Sequence, residues 1–508
     1  MILLSKTIFT GTGKEPIDGF VAIEGKKIKA VGPREESREW IEKDSEVIDL
    51  GDKTVTAGFV DCHTFFTGYL LRSLGVDFSE IKTDREAAEL LKKEEERLGK
   101  GVPLFGHCFQ AAVYQETEEG LLDRAFPETP VVVFTFDRDT CLMNRAAREK
   151  YQFGPEKCYA EMIYRMMPDY LSRPDTEERF IEYVKMLNER GVTTIKEMTF
   201  DTSYGMAELY EKLEKENRLN IRISFMSQPV GEGINIPYGR AMRERFTGDF
   251  VKFGGYNRMT DRSIGSGMAE LLEPYADTGV LCDVPVEWEL ITRETLEADE
   301  NDFRYSLHCQ GDGAIRHTVE LFDKCRKVNG KLKNRHAITD LEYSNPADLE
   351  RFGKIGGIAE VYAQIQSFDT KESVESLWKE KLGGDRGRNY WNRRKMWDSG
   401  ITVTCGTDLP LLLPDIPEAI WCSCGGHMAD GTIVNKENML TVPEMLLAWT
   451  KNGQYNCGNE ERLGTLEAGK LADIAVIDTN VFTASMEEIK KAKISLTISD
   501  GRLVYKAD

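Results

Sequence analysis

No stretch of eighteen or more apolar residues occurs in the 508-residue chain, which removes a membrane-spanning helix from consideration. The start, Met1-Ile2-Leu3-Leu4-Ser5-Lys6, lacks the basic-then-apolar order of a secretory signal and reads as a first strand, so a cytoplasmic location is expected. Basic charge is short as well: 66 Lys plus Arg stand against 86 Asp plus Glu, a formal net charge of −20. A nucleic-acid or anionic-membrane partner would need a basic face, so neither is expected. The eleven cysteines include no Cys-x-x-Cys pair, the closest being Cys422-Ser423-Cys424, and their odd number fits reduced thiols. Gly265-Ser266-Gly267 lacks the Gly-Lys-Ser or Gly-Lys-Thr ending of a phosphate loop and reads as an ordinary loop. Internal repeats, low-complexity linkers and a nucleic-acid stacking pattern among the aromatics are also missing.

What is present is a 41% hydrophobic chain, enough for a sizeable core and too long for one small domain. Residues 1–57 read as short strands joined by turns, as in Phe20-Val21-Ala22-Ile23, the turn Glu24-Gly25-Lys26-Lys27, and Ile28-Lys29-Ala30-Val31. The far end, from Ala472 to Tyr505, has the same texture, so residues 1–57 and 458–508 are expected to form one small β-sandwich. Between them, charged helical stretches alternate with short apolar runs, such as Val192-Thr193-Thr194-Ile195 and Val251-Lys252-Phe253. That alternation predicts an α/β fold with a parallel sheet closed as a (β/α)₈ TIM-like barrel over residues 58–457. Residues 64–190 hold more sequence than one loop needs, and an insertion covering the barrel mouth is expected there.

Several apolar runs end on residues that can bind a metal or move a proton. Val55 to His63 ends in Asp61-Cys62-His63, Tyr305 to His308 in a histidine, His336 to Asp340 in a carboxylate, and Ile401 to Asp408 in Gly406-Thr407-Asp408. In a parallel barrel the carboxyl ends of the strands converge, so His63, Glu197, Lys252, His308, Asp340 and Asp408 are candidates for one site. Imidazole and carboxylate donors suit a divalent ion, and a carboxylate beside it, assigned to Asp408, can shuttle a proton. Each residue also has a structural reading. His63 can be a core histidine, and Asp312 can cap a helix after His308. Asp408 can cap one ahead of Pro410. Lys252 is harder to dismiss, because a lysine in an apolar strand is costly unless paired or modified. His317 reads as structural, and His107 and His427 as loop residues. Cys62 and Cys309 read as small wall-packing side chains.

With these residues in view, the chain resembles the amidohydrolase superfamily, specifically its YtcJ-like (amidohydrolase 3) branch. The resemblance rests on Ala57-Gly58-Phe59-Val60-Asp61-Cys62-His63, on Val251-Lys252-Phe253 with Ala269-Glu270-Leu271-Leu272-Glu273-Pro274-Tyr275, and on His308-Cys309-Gln310-Gly311-Asp312-Gly313. It continues through Asn334-Arg335-His336-Ala337-Ile338, Gly406-Thr407-Asp408-Leu409-Pro410, and Gly464-Thr465-Leu466-Glu467-Ala468-Gly469-Lys470-Leu471-Ala472-Asp473. It implies a barrel flanked by a small β-domain and a metal-assisted hydrolase. The departures are specific. Phe65 stands where the family has the second histidine of His-x-His, Thr339-Asp340 where it has Glu-His, and Asp137-Arg138-Asp139 where it has Asp-Gly-His. Lys252 matches the position that can be carbamylated to bridge two metals.

The resulting expectation is one divalent ion, manganese or zinc, held by His308 and Asp340 with help from Lys252 (carbamylated or not), Glu197 or His63. The shift from imidazole toward carboxylate favours manganese. Asp408 is the expected proton carrier. His336, Arg335 and Gln364 are expected to orient substrate or oxyanion, and Tyr256 to line the pocket. The expected activity is hydrolysis of an amide-like or cyclic carbonyl bond in a small molecule. A carbon–carbon hydrolase opening a cyclic 1,3-diketone such as a reduced polyhydroxybenzene, or a metal-free binding protein, are the alternatives. A homodimer is expected as the commonest soluble assembly.

Overall fold

The computed structural model describes residues 1–13, 15–41, 46–73, 75–135, 140–155, 164–199, 205–229 and 233–507; Asp137, Arg138 and Asp139 lie outside them. Eight parallel strands form the central sheet: β1 Phe59–Thr64, β2 Val192–Thr199, β3 Arg222–Ser227, β4 Val251–Met259, β5 Tyr305–Cys309, β6 Ala337–Asp340, β7 Ile358–Val361 and β8 Thr402–Cys405. They lie side by side in chain order. The end strands meet through the loop after β8, where the backbone N–H of Asp408 donates to the carbonyl of His63 at 2.8 Å and Thr64 pairs with Leu409. The barrel is thus nearly closed, as expected. Strands covered on both faces should read as buried throughout, and every residue of β1, β2, β6 and β7 does.

Both termini build one eight-stranded sheet. Its order runs Arg502–Lys506, Ile494–Ser499, Ile474–Ile477, Thr54–Ala57, Ile2–Ile8, Ile17–Glu24, Lys27–Pro33, with Val47–Asp49 on the flank of Ile2–Ile8. Alternating side chains from these strands (Leu3, Val21, Val55, Ile474, Val476, Leu496, Ile498) make its apolar core, which Leu466 and Ala472 of the tail motif join. The motif's Asp473 closes this arrangement. Arg222, at the start of β3, donates to both Asp473 oxygens at 3.0 and 3.1 Å and to Asp500 at 2.9 Å. The Asp473 carbonyl also accepts from Gly58 at 2.8 Å, just ahead of β1. A buried forked guanidinium therefore ties barrel to terminal sheet.

Contacts divide the chain into two compact units, one of residues 1–64, 184–198 and 213–508 and one of residues 65–183 and 199–212. The second carries a four-stranded sheet in the order Cys141–Met143, Val131–Thr135, Leu104–Phe109, Val76–Asp77. The helix Asp84–Leu98 belongs to the same unit and starts at a Thr83/Glu86 capping box. Its apolar side (Ala87, Leu91) shares a core with Phe78, Leu104, Val131 and Val133. Among the described residues, no helix is long and apolar enough to cross a membrane.

Replacing Arg222 by Met should leave Asp473 and Asp500 as buried carboxylates with their shared partner gone. We expect a stability loss of about 3–5 kcal/mol in urea denaturation. A loss below about 1 kcal/mol would show that the clamp is dispensable.

Candidate active site

The strand order fixes which residues reach which end of the barrel. Pairing sets His308 level with Thr339 and with Met259, the last residue of β4, and Cys309 level with Asp340. His308, Asp340, His63 and Asp408 therefore all sit at or just past carboxyl ends. His308 Nε2 lies 3.2 Å from an Asp340 oxygen. Gln310 donates to that same oxygen at 2.7 Å, so the carboxylate is held from two sides. Burial works against a charged His308, but Asp340, Asp261 and Asp408 outweigh it and raise its pKa to about 9. His63 stands between two carboxylates, Nδ1 3.7 Å from Glu360 and Nε2 3.7 Å from Asp408. Asp408 is about a third exposed, the most open of the group.

The motif glycines act through close approach. A side chain on Gly406 would meet His63 Cβ at 2.7 Å, so only glycine lets the loop after β8 pass β1 there. A side chain on Gly311 would lie 2.2 Å from the Glu270 carbonyl. Asp261 stitches these loops together by accepting the backbone N–H groups of Glu270, Gln310 and Gly311 at 2.8–2.9 Å. Burial nonetheless pushes its pKa up to about 6. Asp61 does the same between β1 and β8, accepting from Thr407 N at 3.1 Å and Thr407 Oγ1 at 2.5 Å, with burial raising it to about 7.

Below the mouth the barrel axis is filled by a buried ion pair that sequence reasoning missed. Lys196 of β2 pairs with Glu360 of β7, both with fully buried side chains, and donates to Ser306 at 3.0 Å. Glu360 also accepts from Thr339 Oγ1 and Asn456 Nδ2, each at 2.9 Å. Burial would raise the Glu360 pKa, but Lys196, His63 and Arg304 hold it well below the usual carboxylate range. Glu197 is buried on β2 opposite Thr64. The head group that reaches the axis is that of its neighbour Lys196, because successive strand residues face opposite ways.

Five expected site residues are elsewhere or already committed. Lys252 is the second residue of β4, level with Ser224 and seven residues before Met259, roughly 20 Å along the strand from the mouth. Its Nζ donates to Asn459 at 2.7 Å, which answers the cost of burying it and takes it out of reach as a bridging ligand. His336 precedes β6; it accepts from Tyr305 N at 3.0 Å, faces Asp299 at 3.0 Å and stacks on Phe322. It is a strut of the amino end, not a proton carrier at the mouth. Arg335 beside it pairs with Glu460 at 2.6 Å. Tyr256 is fully buried, its hydroxyl donating to the Asn235 carbonyl at 2.7 Å beneath the helix Ile236–Arg245, on the outer wall. Gln364 follows β7, but its amide donates to Leu413 and Glu418 and accepts from Asp415, so it anchors the loop before the helix Ile416–Gly425 and has no donor left for substrate. Of the residues read as structural, His317 pairs with Glu270 at 2.9 Å and His427 stacks on Trp421.

Tyr362 stands outside every motif read from the sequence. It lies one residue past β7 and is 4% exposed, and its hydroxyl has no hydrogen-bond partner among the described residues. Asp408, Asp340 and Glu360 surround it closely enough to raise its pKa further than burial alone. His308 Nδ1 is likewise buried without a partner. His308 Nε2 and the Asp340 carboxylate are donors that fit one divalent cation, and the unpartnered Tyr362 hydroxyl fits a substrate oxygen. Phe65 offers no donor atom, and Lys252 is at the other end of the barrel. Among the described residues, tighter three-donor clusters occur in Asp77/His107/Cys108 and in Asp299/Cys325/His336, the latter already closed by Arg326 and Asn334.

A sequence model of the amidohydrolase family matches residues 46–505. N-substituted formamide deformylase of Arthrobacter pascens is 20% identical over 99% of this chain and 98% of its own length. Protein LONG AFTER FAR-RED 3 of Arabidopsis thaliana is 20% identical over 99% and 91%. The crystal structure of an uncharacterized metal-dependent hydrolase from Pyrococcus horikoshii superposes with a TM-score of 0.73 at 19% identity, over 96% of this chain and 99% of that one.

The buried pair yields a stability test. Lys196→Met alone should cost about 3–5 kcal/mol at neutral pH, and Lys196→Met/Glu360→Gln should recover most of it, because no unpaired charge is left. Glu360 is depressed when folded, so its contribution is complete above the unfolded value near 4.5 and lost as pH falls below it. The wild type should therefore lose stability in acid more steeply than the double variant. Equal losses in single and double variants would contradict this account.

Proposed function

Since the chain belongs to the amidohydrolase family, a family of hydrolytic enzymes, we propose that it hydrolyses an amide-like carbon–nitrogen bond of a small organic molecule at the barrel mouth, with one divalent cation. The observation that supports this reading is the approach of His308 Nε2 to Asp340 at 3.2 Å, with Asp408 and the unpartnered Tyr362 hydroxyl beside them. The similarity to an N-substituted formamide deformylase along nearly the whole chain favours a carbon–nitrogen bond over the carbon–carbon alternative.

His308 and Asp340 would hold the cation, with His63 as a further candidate donor. When bound, such an ion polarises a carbonyl and makes water a better nucleophile. The chain's own groups do the rest. Asp408, the most open carboxylate, takes the proton from the attacking water and returns it to the leaving nitrogen. The Tyr362 hydroxyl donates to the carbonyl oxygen as charge builds there. Glu360 and Asp408 flank His63 and fix its ring, and Gln310 keeps the Asp340 carboxylate turned toward His308. The extended-range partners of this group, Lys196 and Glu360, exclude water from beneath it.

Protein expressed with manganese or zinc should carry about one ion per chain by elemental analysis and turn over a panel of N-formyl and N-acyl amines. His308→Ala and Asp340→Ala should lose the ion. Asp408→Asn should keep it while kcat falls by about 10²–10⁴. Full activity in Asp408→Asn would overturn the assignment of the proton carrier. A wild type holding less than about a tenth of an ion per chain would favour a metal-free binding protein.

A further inference from the structure

The amino end of the barrel carries a second feature, unrelated to the mouth. A cavity of about 260 Å³ opens there, lined among others by Arg243, Lys252, Arg304, Arg335, Asn456 and Asp302. Four cations around one small cavity are unexpected in a chain of net charge −20. Their partners make the point sharper. Lys252 donates to the neutral amide oxygen of Asn459 at 2.7 Å, and Arg243 to the backbone carbonyl of Asp302 at 2.7 Å. Arg304, which is 8% exposed, donates to the carbonyl and side-chain oxygens of Asn456, and its Nε has no hydrogen-bond partner among the described residues. Among the described residues, Arg335 alone of the four has a carboxylate of its own, Glu460 at 2.6 Å.

The remaining acids are committed. Asp302 is shared by Arg326 and Lys333, each at 2.6 Å, and Asp249 pairs with Arg462 at 2.8 Å. Glu360, above Arg304, is paired with Lys196. Of the four lining cations, Arg335 is matched by Glu460, and Arg243, Lys252 and Arg304 are left beside Asp302, which two other cations already claim. Cations this close repel one another, and burial adds a desolvation cost to Lys252 and Arg304. Both penalties are relieved by an anion in the cavity, which would accept from Lys252 and Arg243. The geometry also suits charge-assisted hydrogen bonds to an oxyanion, since planar guanidinium and point-charge ammonium donors face one space.

We propose that this cavity is a binding site for a small dianionic oxyanion, a phosphate group or a dicarboxylate, separate from the catalytic mouth. Its occupant braces the amino ends of β3, β4 and β5 against the segment 456–459. The roughly 20 Å between Lys252 and the mouth, along β4, keeps the two sites from sharing a ligand.

Calorimetric titration of the purified protein with inorganic phosphate and with succinate, at ionic strength held constant with chloride, tests this. Saturable one-site binding of at least one of the two anions is expected. Lys252→Met and Arg243→Met should each weaken it by about tenfold or more, the scale of one charge-assisted hydrogen bond. His308→Ala, which alters only the mouth, should bind as the wild type does. Should Lys252→Met fail to fold, Arg243→Met decides, because that side chain is on the surface. Absence of saturable binding for both anions, binding unchanged in the two cavity variants, or binding lost in His308→Ala would each overturn the proposal.

Discussion

The buried contact between Lys196 and Glu360 is the constraint on which the barrel interior turns. A charge pair taken wholly out of water is tolerated only if nearly every donor and acceptor is met. Ser306, Thr339 and Asn456 meet them, each from a different element. The pair thereby joins β2, β5, β6 and β7 to the helix Lys451–Asn456, and it sets the height at which His63 can stand. His63 rests on Glu360 from above, so the first imidazole of the mouth inherits its position from an ion pair beneath it.

From that floor upward the chemistry is sorted by strand direction. His308, Asp340 and Asp408 come from the last residues of β5 and β6 and the loop after β8, and all three converge because parallel strands end on one face. Glycines without room for a side chain, Gly406 and Gly311, let the loops pass closely enough to keep those ends together. The opposite face collects the strand beginnings: Lys252, Arg304, Arg335 and His336. One set of elements thus carries two chemically distinct ends, an acidic and imidazole-rich mouth and a basic base.

Much of this was legible in the order of residues. A β-branched run that stops at His308 or Asp340 marks both a strand and its carboxyl end, and the tail motif ending in Asp473 marked the terminal sheet. What failed was position within a strand. Lys252 and His336 drew attention as polar residues in apolar surroundings, but each starts its strand, and a few residues at roughly 3.3 Å apiece carry it to the other end of the barrel. Tyr256 fell to face rather than height, since it points under a helix. Glu197 reads as a ligand because it is a carboxylate near the end of a strand, whereas the ion pair of its neighbour Lys196 needs a partner 164 residues away that local pattern cannot supply. Tyr362 left no signal beyond being aromatic; its meaning lies in a hydroxyl that folding buries without a partner.

The central claim is that the mouth, and not the basic end, is where this chain grips a cation. Anomalous diffraction from crystals soaked in manganese tests it directly. The account predicts a single strong peak within coordination distance of His308 and Asp340. A peak beside Lys252, or one between Asp299, Cys325 and His336 with none at the mouth, would contradict it.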